Sequence, residues 1–356
     1  MLKARRCLHE MTEYHSPLQV EGIDLRLDMN ENTTGCSPRV LAKIKTMDAR
    51  TLALYPSREH GEKLVAEFLR IAPSQTLLTN GADEAIDLLC RTYLERESEI
   101  IIVVPTFTMY EIFAQTADAK VVHVSTGPEF SFPVQKVMDA ISPRTRLIVI
   151  CNPNNPTGVA ASRSGIMRVI EAAPDAAILL DEAYFDFSGQ TLMDQVGKIP
   201  NLFIARTFSK AYGLAGMRLG VLVGDQEQMS MLRRVASPFN INAFAIECLE
   251  EALADRQFVA DYVAQVRASR EWLQKQLEQL GLKCWPSQTN FLLCRFGDLK
   301  KTVLQTMRAH GIALRDRPDC EGCIRISIGT QQEMERLMAE FKQIVPAPTP
   351  SRQAVR

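Results

Sequence analysis

The chain has 356 residues, 46% of them hydrophobic and 23% charged, enough to bury the core of one large domain and a smaller one. Its 41 basic and 42 acidic residues leave a net charge of -1, a balance that argues against nucleic acid or an anionic membrane surface as partner. No apolar run reaches the roughly 18 to 20 residues of a membrane span, and the first ten residues lack the apolar core of a signal peptide. Nine cysteines scattered along the chain suit buried thiols in a reducing compartment, so a cytoplasmic location is expected. Cys320 and Cys323 form one CxxC, but with neither a second such pair nor a paired-histidine motif no metal site is expected.

Residues 1–35 are weakly periodic and read as an N-terminal arm. From residue 36 to 244, helical periodicity alternates with short β-branched runs: Ile100-Ile-Ile-Val-Val-Pro105, Lys120-Val-Val-His-Val124, Leu147-Ile-Val-Ile-Cys151, Ala177-Ile-Leu-Leu-Asp181, Asn201-Leu-Phe-Ile-Ala205 and Leu219-Gly-Val-Leu-Val223. That alternation predicts a large domain around a mostly parallel sheet buried on both faces. Residues 245–345 open with one long helical stretch, 247–280, followed by strands near 289–296 and 323–328, which predicts a smaller α+β domain. The proline-rich tail, 346–356, is expected to be disordered.

Ligands of an open parallel sheet bind beyond the carboxyl ends of its strands, so those ends carry the chemistry. They read Pro105-Thr-Phe-Thr-Met-Tyr110, Cys151-Asn-Pro-Asn-Asn-Pro-Thr-Gly158, Asp181-Glu-Ala-Tyr184 and Arg206-Thr-Phe-Ser-Lys-Ala211. Asp181 closes an apolar strand, where a carboxylate is costly unless it caps a turn or meets a cation. Lys210 taken alone would be a surface lysine. Desolvated among other cations, it would instead be an amine able to attack an aldehyde. The segment Thr79-Asn-Gly-Ala-Asp-Glu84 opens a helix whose N-terminus would favour an anion, with Thr207, Ser209 and the forked Arg218 as further donors. In Cys323-Ile-Arg-Ile-Ser-Ile328, period-two alternation sets Arg325 on the face opposite the core, either in solvent or toward a ligand.

In this order and spacing, these motifs resemble the class I/II aminotransferases of fold type I that depend on pyridoxal 5'-phosphate (PLP), over a stretch running from Asp28 to about Gly329. The resemblance implies an α/β fold of the aspartate-aminotransferase type, PLP as cofactor, and a small-molecule amino donor and 2-oxo acid as substrates. It makes Lys210 the Schiff-base residue and proton shuttle, and Asp181 the partner of the pyridine nitrogen. Tyr184 and Asn155 become the pair at the phenolic oxygen, and Tyr110 the aromatic stacked on the ring. Ala82, Asp83, Thr207, Ser209 and Arg218 form the phosphate cradle. Tyr55 would reach a neighbouring site from a second subunit, which implies a homodimer with shared active sites. Arg325, supported by Asn290, would grip the substrate carboxylate.

Within that class, Leu27-Asp-Met-Asn-Glu-Asn32, Gly81-Ala-Asp-Glu84 and Gly311-Ile-Ala-Leu-Arg-Asp-Arg317 are similar to the histidinol-phosphate aminotransferases. That likeness adds Arg315 as a second cation for a substrate phosphate, and Tyr14 as a hydroxyl contact; otherwise Arg315 and Arg317 belong to a solvated loop. Thr33-Thr34 and Phe107 depart from the usual pattern. An aromatic amino acid aminotransferase and a phosphothreonine-type decarboxylase stay open as alternatives.

Overall fold

A computed structural model describes residues 2–9, 11 and 21–345; Tyr14 and the tail, 346–356, lie outside them. Seven strands form one sheet: β2 (Thr76–Asn80), β3 (Glu99–Val104), β4 (Lys120–Ser125), β5 (Thr145–Cys151), β6 (Ala177–Asp181), β7 (Leu202–Thr207) and β8 (Leu219–Val223), in the order β2-β8-β7-β6-β5-β3-β4. The pairs within β7-β6-β5-β3-β4 are parallel. Alternate residues of the inner strands serve different cores. Ile148, Ile150, Ile178, Leu180 and Ile204 belong to one apolar cluster, whereas Leu147, Val149, Leu179, Phe203 and Ala205 belong to another. Both faces are therefore covered, as continuous apolar runs require.

β8 differs from the strands around it, being antiparallel to both β2 and β7. Its amino end therefore lies at the edge where the parallel strands have their carboxyl ends, and Arg218, the residue before β8, joins that edge. Period-two patterning reveals that a strand exists but not its direction, and β2 goes unread in the sequence, where Thr79 and Asn80 pass for a loop leading into the helix that follows.

The second sheet has the order β1-β11-β12-β10-β9, built from β1 (Leu25–Leu27), β9 (Lys283–Cys284), β10 (Phe291–Arg295), β11 (Ile312–Arg317) and β12 (Cys323–Ser327). Its core sets Leu292, Cys294, Ile324 and Ile326 against Val266 and Leu273 of the helix Arg256–Gln279 and against Leu337 and Phe341 of the helix Gln331–Ile344. Three expectations are corrected. The segment 1–35 is not only an arm, because β1 adds to this sheet in parallel with β11. The motif from Gly311 to Arg317 is no solvated loop but contains β11. The helical stretch 247–280 is two helices, Ala243–Ala254 and Arg256–Gln279, divided at Asp255, whose carboxylate accepts the Phe258 N–H as an N-cap and the Ser37 hydroxyl. A capping aspartate is a local stop signal that continuous apolar periodicity conceals.

At the edge carrying the site, β8 pairs Thr79 with Gly220 and Asn80 with Leu219, bringing Gly220 under the start of the helix Gly81–Tyr93. A methyl group on Gly220 would lie 2.6 Å from the Gly81 carbonyl carbon and 2.9 Å from the Ala82 nitrogen, and backbone cannot yield as a flexible side chain can. Gly220→Ala should therefore cost about 1–3 kcal/mol, read as a lower urea midpoint. Gly127→Ala, where a methyl meets nothing within 4 Å, should leave the midpoint unchanged.

Candidate active site

The strand ends enclose a cavity of about 580 Å³ between the two sheets. Of the residues singled out in the sequence, Ala82, Asp83, Tyr110, Asn155, Asp181 and Tyr184 line it. Thr207, Ser209, Lys210, Arg218, Arg315 and Arg325 do so as well.

Asp181, at the end of β6, is 3% exposed. One of its oxygens accepts the Tyr110 hydroxyl at 2.5 Å and the other the Ala183 N–H at 2.9 Å. Burial raises its pKa, and the Tyr110 hydroxyl opposes that rise. Among the described residues no cation forms an ion pair with it. Its neighbour Glu182 points the other way into a buried pair with Arg206, which donates to Glu182 through Nε at 2.9 Å and Nη2 at 2.7 Å. Thr191 and the Leu192 N–H complete the partners of Glu182, so the turn after β6 is anchored immediately behind Asp181.

Lys210 is half-buried and donates to the Met29 carbonyl at 3.0 Å. Burial, with the nearby Arg325 charge, pushes its amine down to about 8. Tyr184 accepts the Asn30 amide at 2.9 Å. Burial raises its hydroxyl to about 12 against the opposing Arg325 charge and the Asn30 amide. At the mouth of the helix Gly81–Tyr93, Thr207 and Ser209 hydroxyls lie 3.0 Å apart, and Arg218 Nη2 pairs with Asp83 at 3.1 Å. Gly81, at φ +71°, leaves the Arg218 guanidinium room that a Cβ would fill, at 2.5 Å from Nη2.

Arg325 lies in β12, where Ile324 and Ile326 turn to the core. It is 5% exposed, so the face opposite the core is a cavity wall and not a solvated strand face. Its guanidinium donates to the Asn155 side chain and to the Asp28 carbonyl, both at 2.6 Å. Arg315 is its direct partner across the antiparallel pair β11–β12.

Two expected residues are not part of this wall. Asn290 is fully buried, with its amide donating to the Asn30 carbonyl at 3.0 Å, so it braces the segment 28–31 and does not support Arg325 directly. Tyr55 is 78% exposed and stacks on Phe239 with ring centroids 4.1 Å apart, away from the cavity. Sequence reasoning also missed part of the lining. Met29, Asn30 and Glu31 enter it because Asn30, at φ +55°, turns the chain there. Ser327, Asn290 and Tyr184 then hold Asn30 in place. Asparagine tolerates that left-handed conformation better than most residues, which was the only local signal. Arg317 lines the cavity too.

The family model for aminotransferase class I and II matches residues 23–341, and the chain belongs to that family. A histidinol-phosphate aminotransferase of Dehalococcoides mccartyi is 33% identical over 320 residues, covering 88% of each chain. Another, from Roseiflexus castenholzii, is 34% identical over 340 residues, covering 92% of this chain and 91% of that one. Two solved structures share the fold. Histidinol-phosphate aminotransferase from Sinorhizobium meliloti in complex with pyridoxal-5'-phosphate has a TM-score of 0.89 at 22% identity, covering 97% and 98% of the two chains. Thermus thermophilus aspartate aminotransferase with maleate has a TM-score of 0.82 at 21% identity, covering 97% and 100%.

A lysine brought down to about 8 becomes neutral, and able to capture an aldehyde, as pH rises through that value. Removing the Arg325 charge relieves repulsion of the ammonium form. In Arg325→Gln the pH midpoint for PLP capture by the cofactor-free protein should accordingly move up by about one unit. An unmoved midpoint would show that Arg325 does not act on Lys210.

Proposed function

We propose that the cavity holds PLP on Lys210 and transfers the amino group of histidinol phosphate to 2-oxoglutarate, giving imidazole acetol phosphate and glutamate by a ping-pong sequence. The residues present fit the cofactor on independent grounds. The buried Asp181 carboxylate has hydroxyl and N–H partners but no cation, a position that a protonated ring nitrogen would satisfy. The start of the helix Gly81–Tyr93, beside Thr207, Ser209 and Arg218, offers donors and positive potential to a phosphate. There Arg218 would exchange Asp83 for the anion. Tyr184 and Asn155 would hold the ring's oxygen, and Tyr110 the ring itself. When bound, the cofactor supplies an electron sink for the charge left on the substrate's α-carbon.

The chain's own groups do the remaining work. Lys210 Nζ, brought down to about 8, would in its neutral form take the proton from the substrate's α-carbon and deliver it to C4' of the cofactor as a general base and then acid. Asp181 holds the compensating negative charge, and the Glu182–Arg206 pair keeps it in position. A 2-oxo acid then accepts the amino group through the same residues.

The observation that carries the choice of donor is the pair Arg315 and Arg325, directly opposite on one face of β11–β12 and both lining the cavity. Two guanidiniums on one wall of the cavity offer forked, charged donors that suit a doubly charged phosphate. The names of the 33–34% identical relatives point the same way. The homodimer belongs to this reading as well. Exposed Leu41, Leu52, Leu54, Tyr55 and Phe239 supply apolar surface for a second copy, through which Tyr55 would reach the neighbouring cofactor phosphate.

The test is donor selectivity in the presence of 2-oxoglutarate. L-histidinol phosphate should be preferred over unphosphorylated L-histidinol. Arg315→Gln should lower kcat/KM for the phosphorylated donor by roughly ten- to a hundred-fold, the worth of one charged hydrogen-bonding group, while leaving L-histidinol nearly unaffected. Equal use of both donors, or better turnover of aromatic amino acids, would remove histidinol phosphate as the substrate. Carbon dioxide release from phosphothreonine without any need for a keto acid would replace transamination by decarboxylation.

A further inference from the structure

Three arginines share one face of the smaller sheet, since Arg315 and Arg317 are two apart on β11 and Arg325 stands opposite Arg315 on β12. All three line the 580 Å³ cavity. Arg317 is treated differently by its surroundings. It is 7% exposed, and its guanidinium is held in a fork by the Asp319 carboxylate, at 2.8 Å from Nε and 2.5 Å from Nη2. The same Nη2 lies 3.4 Å from the Thr106 carbonyl, in the loop after β3.

Arg317 also stands at a partition. With Arg315, Phe107 and Thr108 it lines a second cavity of about 330 Å³, whose lining also includes Asp316, Asp319 and Glu111. Asp316 is engaged by Lys300 at 2.6 Å, which leaves Asp319 as the carboxylate that pairs with Arg317. A bidentate carboxylate occupies the donor edge that Arg would otherwise turn to a phosphate or a substrate carboxylate. It also cancels one positive charge at the cavity wall.

We infer that Asp319 is a specificity-determining residue, which withholds Arg317 from the substrate's anionic group and so limits how tightly the site binds anions. This rests on the reading that the cavity takes an anionic substrate. The consequence is selectivity by restraint: a released Arg317 guanidinium would tighten binding of any small dianion, inorganic phosphate included, and would erode the advantage of the whole substrate over its anionic fragment. Arg317, so held, is a positioning residue of the wall rather than a ligand of the substrate.

The measurement is the dissociation constant of the holoenzyme for two probes, inorganic phosphate and succinate, by titration calorimetry. It compares wild type, Asp319→Asn, Arg317→Gln and the double variant, with thermal unfolding to verify that each is folded. Asp319→Asn should bind both probes about fivefold or more tighter through the released charged contact. The double variant should return to within about twofold of wild type, whereas Arg317→Gln alone, which uncovers the Asp319 carboxylate, should bind both probes more weakly. Asp319→Asn binding no tighter than wild type, or the double variant binding markedly weaker than wild type, would overturn the inference and make Arg317 a direct anion ligand. Wild type that binds succinate but not phosphate would sink the phosphorylated donor while the succinate series still decides the role of Asp319.

Discussion

A carboxylate buried at the end of a parallel strand must be neutralised, hydrogen-bonded or paired, and Asp181 meets that demand only in part. It has one hydroxyl and one backbone N–H, while the positive groups of the cavity, Arg218, Arg315, Arg317 and Arg325, line its other walls. Lys210 lines the same cavity. Such an arrangement is poor as a core and apt as a cradle for a ligand with a cationic ring nitrogen and anionic substituents. Much of the surrounding structure serves to maintain it. The Glu182–Arg206 pair anchors the turn behind Asp181, and the reversed direction of β8 delivers Arg218 to the phosphate end.

One short segment ties the two sheets together at this cavity. Residues 28–31 pass between the sheets. There the Met29 carbonyl accepts Lys210, the Asp28 carbonyl accepts Arg325, and Asn30 is held by Tyr184, Ser327 and Asn290. Arg325 completes the bridge by reaching Asn155 beyond β5. The amine that would capture the cofactor and the guanidinium that would take the substrate are therefore tied to the same four residues. Together with burial, the Arg325 charge in turn lowers the pKa of Lys210.

The parts legible in the sequence were those governed by local pattern. The strands β3 to β7 announce themselves by β-branched runs, and their carboxyl ends carry residues whose chemistry makes sense only when pooled. What escaped depends on partners distant in sequence. The direction of β8 is set by β2 and β7, β11 looked like a charged loop because one of its faces is the cavity wall, and β1 is a strand only because β11 offers it an edge. Asn290 has the right residue type near the right place, yet its amide is committed to Asn30. The role of Arg317 stayed open for a different reason: its partner Asp319 is only two residues on, but strand periodicity does not show that the pair is buried.

The central claim, that Lys210 is the residue holding PLP, is tested most directly by reducing the holoenzyme with borohydride and mapping the modified peptide by mass spectrometry. The account predicts one pyridoxyl-phosphate adduct per chain, on Lys210, and none at any other lysine. An adduct on a different lysine, or bound PLP that reduction fails to fix to the chain, would contradict it.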